Sequence, residues 1–98
     1  MVYEQEYARN EIIAVGTSNV LISDMKKRKM VYLRNTSSGT QVITIRFDNV
    51  EPAVANKGIV LSVGEVCVDA SSEGYEAWNG KIQAISSAIN GQLTIVER

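Results

Sequence analysis

Ninety-eight residues, 45% of them apolar and 21% charged, suffice for one domain with a core but leave little stability to spare for a deep cleft. That apolar share excludes wholesale disorder, and a formal charge of −1 excludes a global field that would gather polyanions, leaving only local patches. Cys67 is the single cysteine, so no intrachain disulfide forms and the cysteine count does not decide the redox compartment.

Residues 1–10 are polar and aromatic without a clear period and read as an arm or irregular lead-in to one domain over 11–98. They lack the basic and apolar regions of a signal peptide, and no window approaches a spanning helix, so the expectation is a protein made in the cytoplasm with no membrane partner. From Glu11 onward short β-prone runs alternate with Gly, Asn, Ser and Asp. Glu11–Val15 and Val20–Ser23 flank Gly16-Thr17-Ser18-Asn19 and fit two strands joined by a tight connection. In Lys29–Arg34, Met30, Tyr32 and Arg34 point one way and Val31 and Leu33 the other, with Val31 and Leu33 the better candidates for burial. Asn35 to Thr40 is a turn. Gln41–Phe47 then sets Ile43, Ile45 and Phe47 against Val42, Thr44 and Arg46, the cleanest period of two in the chain. The segments 29–34 and 41–47 are read as the firmest hairpin.

Asp48 to Gly58 is the longest irregular stretch, with Pro52 inside it and room for one helical turn at Ala53–Asn56. Ile59–Val63 and Val66–Asp69 follow as strands around Gly64-Glu65. Ser71–Asn79 is a loop carrying Tyr75 and Trp78. Lys81–Ser87 and Gln92–Val96 are read as a final pair, turned by Asn90-Gly91, a dipeptide that tolerates left-handed geometry. About eight short antiparallel strands and no persuasive helix predict an all-β sandwich. The strand count favours a jelly roll, with an immunoglobulin-like sandwich or a small barrel as alternatives.

The chemistry-bearing residues are sparse. No histidine occurs, which removes His-based triads, imidazole bases and the usual His-containing zinc sites. Cys67 sits between two valines without an activating cation and reads as structural. Asp48/Glu51 and Glu73/Glu76 do not specify the separation that paired-acid catalysis needs, and Asp48, Asn49 and Glu51 lack the dense ligand pattern of a calcium loop. No phosphate-binding glycine motif occurs. The expectation is a protein without catalytic residues, cofactor or metal.

Two groups of side chains remain as interaction candidates. Lys26, Lys27, Arg28 and Lys29 form a basic block, read first as a solvated approach to a strand and second as a phosphate or acidic-partner contact. Tyr32, Arg34 and Arg46 are expected to share an outer β face with it. Tyr75 and Trp78 offer aromatic surface for core packing, a protein partner or a sugar ring. Asn35-Thr36-Ser37 matches a glycosylation acceptor but reads as a turn.

The stretch Ala53-Val54-Ala55-Asn56-Lys57-Gly58-Ile59-Val60-Leu61-Ser62-Val63-Gly64-Glu65, followed by Trp78-Asn79-Gly80-Lys81-Ile82-Gln83-Ala84-Ile85-Ser86-Ser87, resembles small virion-associated β proteins of bacteriophages and other prokaryotic viruses. The likeness extends upstream to Val31-Tyr32-Leu33-Arg34-Asn35 and downstream to Leu93-Thr94-Ile95-Val96-Glu97. It rests on fold-building residues and implies a capsid decoration, head-fibre or other minor structural protein of a virion, present in several copies. Homo-oligomers and a capsid or other virion protein are the partners it implies. A nucleic-acid-binding accessory protein using residues 26–29 and a carbohydrate-binding module are the alternatives.

Overall fold

A computed structural model describes residues 8–98. Among these residues there are eight strands and no helix: β1 (Arg9–Val15), β2 (Val20–Ser23), β3 (Met30–Asn35), β4 (Ile43–Phe47), β5 (Ile59–Leu61), β6 (Val66–Ala70), β7 (Ile82–Ser86) and β8 (Gly91–Glu97). Each coincides with a run of β-prone residues bounded by turn formers. The first strand starts at Arg9, so the expected lead-in falls largely on residues 1–7, outside the described part.

The strands form two four-stranded sheets, ordered β1-β8-β3-β6 and β2-β7-β4-β5, and every pairing is antiparallel. This is the strand order of a jelly roll, in which the chain passes back and forth between two sheets as it winds. The hairpin expected from 29–34 and 41–47 is therefore not one: β3 lies in the first sheet and β4 in the second. The same holds for β1 with β2 and for β7 with β8. Only β4 and β5 are both consecutive and paired, across the long 48–58 connection.

Period-two patterning sets what each sheet buries. The first sheet contributes Val15, Val31, Leu33, Leu93 and Ile95, and the second Ile22, Ile43, Ile45, Leu61, Ile82 and Ala84. Burial of each larger aliphatic side chain contributes roughly 1.5–3 kcal/mol. Val31 and Leu33 are fully buried, as their alternation with Tyr32 and Arg34 predicts. In β6 the inward residue is Cys67, packed at the core margin, while Val66 and Val68 face out. Burial, and secondarily Asp69, push the Cys67 thiol up, away from thiolate reactivity.

Asn35 continues the inward phase of β3 and is buried with its amide satisfied. Its Nδ2 donates to the Gln41 and Leu61 carbonyls at 2.8 and 2.9 Å, and its Oδ1 accepts the Ser37 N–H at 3.1 Å. The acceptor nitrogen of the Asn35-Thr36-Ser37 motif thus serves the turn.

Candidate assembly surface

The outer faces of the two sheets differ in kind. On the second sheet, the 48–58 segment folds back over the strands. Gln83, which points outward from β7, donates from Nε2 to the Asp48 and Glu51 carbonyls at 3.1 and 2.8 Å. Thr44 on β4 accepts the Asn56 N–H at 3.0 Å, and Asn19 accepts the Ala53 N–H at 2.8 Å. Ala53 is buried beneath this flap, and Thr44 is buried with it. The anticipated helical turn at Ala53–Asn56 is instead a tight turn, with Lys57 N–H bonded to the Val54 carbonyl and Asn56 at φ 63°.

On the first sheet no described segment plays this part. Its register places Asn10, Val96, Tyr32 and Val68 in one row across the outer face, and Ile12, Thr94, Arg34 and Val66 in the next. Ile12 is 67% exposed, Val68 57% and Val66 44%, so the apolar surface is available to a partner. Arg34 is the one charge in these two rows. Among the described residues its side chain has no hydrogen bond or ion pair.

In the basic block Lys26, Lys27 and Lys29 are exposed, as a solvated approach to a strand requires, and only Arg28 is not. Arg28 is buried, and all five of its N–H donors find acceptors: Glu97 Oε2 at 2.8 Å, the Trp78, Gly80 and Asp24 carbonyls at 3.0, 2.8 and 2.6 Å, and Ser23 Oγ at 2.8 Å. Lys26 reaches the same carboxylate at 2.8 Å, as does Arg9 at 2.7 Å.

Glu97 thus has a buried side chain held by three cations and by Ser23. Burial alone would push its carboxyl up, but the hydrogen bonds from Lys26, Arg9, Arg28 and Ser23 outweigh that and bring it down to about 2. Arg9 also grips Glu11 at 2.9 Å, and this contact comes first among the causes that raise the Arg9 pKa. The network ties the ends of β1, β2 and β8 to the 24–29 and 78–80 segments. It leaves no buried side-chain polar atom unpaired among the described residues.

The remaining candidates are dispersed. Arg46 lies on the second sheet, apart from Tyr32 and Arg34, and pairs with Asp48 at 3.1 Å, so the three do not share a face. Asp48 accepts the Val50 and Glu51 N–H groups, and these bonds, with Arg46, lower its pKa. Asn49 accepts the Lys81 N–H at 2.7 Å. Of the residues weighed as calcium ligands, Asp48 and Asn49 thus bond backbone N–H groups while the Glu51 carboxylate stays unpaired, and no group of three or more potential metal ligands occurs among the described residues.

Trp78 is half-buried, stacked on Phe47 with centroids 6.1 Å apart and planes 10° from parallel, and its Nε1 donates to the Lys81 carbonyl at 2.9 Å. This is the packing role. Tyr75 is exposed, with its hydroxyl donating to Asp69, the contact that raises its pKa.

Sequence reasoning missed Glu97 and the apolar outer rows. Glu97 follows Leu93 and Ile95 at spacing two, which was the signal for its inward direction. Ile12 and Val96 gave no comparable signal, because β1 and β8 carry aliphatic residues on both faces, and in β6 the period of two was misleading, since Val66 and Val68 alternate with Cys67 and Asp69 yet face out.

Comparison with family models, with curated proteins and with solved structures found no match.

Proposed function

We propose that the protein is a non-catalytic structural or attachment module of a virion, which assembles with itself or with a capsid protein through the outer face of the β1-β8-β3-β6 sheet. The observation that carries this reading is the asymmetry of the two faces. On the second sheet the 48–58 segment lies over the central strands at Thr44 and Gln83 and leaves the edge residues Leu21 and Val60 exposed, whereas no described segment covers the first, where Ile12, Val66 and Val68 stand exposed. Exposed aliphatic side chains on an uncovered sheet face are a feature of interaction sites in folded proteins. The jelly-roll strand order is one that viral capsid domains use, which supports the reading at the level of fold analogy. Copies arranged by symmetry would multiply a modest contact.

Of the cations weighed for nucleic-acid contact, Arg28 is buried and Lys26 is paired with Glu97, which leaves Lys27 and Lys29 as the exposed members of the block. The test is light scattering and co-sedimentation with purified capsids. Wild-type chain is expected to form a defined oligomer or to pellet with the particles, and Val68→Asp to lose both while keeping the wild-type melting curve. A chain that stays monomeric at its solubility limit and ignores capsids would overturn the proposal.

A further inference from the structure

The exposed first-sheet face has a counterpart elsewhere on the same chain. Val50 is 84% exposed, the most exposed large apolar side chain among the described residues, and it is followed by Glu51 and Pro52. The Glu51 backbone is fixed: its N–H donates to Asp48 Oδ1 at 3.0 Å and its carbonyl accepts Gln83 Nε2 at 2.8 Å. Its carboxylate has no partner among the described residues. Arg34 and Glu51 are therefore two unpaired opposite charges, each beside exposed aliphatic surface, and each held on a rigid support.

They also lie on opposite sides of the sandwich. Arg34 points out from the first sheet, and the 48–58 flap lies over the outer face of the second. One copy cannot bring them together. A two-fold face-to-face contact centred on the Arg34 row would bring Arg34 up to its own mate, and the two central rows offer no carboxylate to compensate.

We infer that the occupant of the first-sheet face is a second copy of this chain, docked head to tail, with Val50 and Glu51 of one copy seated against Val66 and Arg34, neighbours across β6 and β3, of the next. This deepens the assembly reading and rests on it. Such a contact is heterologous: each copy offers one surface and uses the other, so repetition closes into a ring or extends as a filament. The aliphatic groups provide the desolvated centre, and the Arg34–Glu51 pair fixes register and suppresses the face-to-face alternative.

The experiment is a charge exchange read by light scattering, with melting curves to confirm that each variant folds. Both substitutions are at exposed side chains. Arg34→Glu alone and Glu51→Arg alone are each expected to weaken association about tenfold or more. The double variant R34E/E51R restores it. Mixing the two single variants also restores it, because every contact in an alternating assembly then joins opposite charges. The head-to-tail contact is overturned if the mixture and the double variant both stay dissociated. It is equally overturned if Glu51→Arg has no effect while Val68→Asp dissociates the oligomer, an outcome that leaves the broader assembly reading standing. A wild-type chain that neither oligomerises nor binds capsids removes both.

Discussion

Glu97 draws together side chains that are far apart in sequence, and its carboxylate is the point where three cations and a hydroxyl converge without access to water. Because its pKa is held at about 2, below the ordinary value of 4.5, the group binds protons less readily in the folded chain than in the unfolded one. Its contribution is therefore fully present above about pH 4.5 and is lost as pH falls towards 2, an effect on the order of 3 kcal/mol. Glu97→Gln removes the charge and leaves Arg28 buried without its counter-ion. The expected cost is about 3–5 kcal/mol at neutral pH, with a flatter loss of stability in acid than wild type. Urea unfolding near pH 7 and near pH 3 measures both, and an unchanged acid response in the variant would remove Glu97 as its source. The neighbouring Arg28 was misread as solvated because a run of basic residues shows its charge but not its acceptors. Three of those acceptors lie on Glu97, Trp78 and Gly80, in parts of the chain that only the fold brings near.

At the scale of elements, the eight strands were readable because alternation with a period of two is local, and Val31, Leu33, Ile43 and Ile45 are buried as it requires. Their pairing was not. Asn90 takes φ 63° as a turn residue should, yet the turn it helps to make carries the chain from β7 in one sheet to β8 in the other. A left-handed residue reverses direction equally well within a sheet and across a sandwich, so turn chemistry does not choose between them. The flap over the second sheet was equally hidden, since Gln83, Thr44 and Asn19 act through side chains whose partners are fixed only once the sheets exist. Its return into β5 depends on Gly58, at φ 141° and opposite β4. A methyl group there would stand 2.6 Å from the Ile45 carbonyl oxygen. Gly58→Ala is expected to destabilise by about 1–3 kcal/mol, lowering the melting temperature by several degrees. A thermal scan that matches wild type would show that the flap entrance relaxes freely.

For the whole molecule, the winding of the chain has a kinetic consequence. Only β4 and β5 are neighbours both in sequence and in a sheet, while β1 must find β8 at the far end of the described chain. Non-local pairing of this kind places refolding in the range of about milliseconds to seconds rather than microseconds. Trp78, the single tryptophan and packed on Phe47, is a built-in reporter for stopped-flow fluorescence. Microsecond refolding would contradict a topology-limited search. The same pairing sets Arg9 directly across from Glu97, so the first and last strands emerge side by side at one end of the sandwich. That adjacency makes the molecule a natural subject for circular permutation. A short linker from Glu97 to Arg9 closes the chain, and new ends open at Gly74, in an exposed loop. Segments joined before Arg9 and after Glu97 would therefore leave from the same edge of the body.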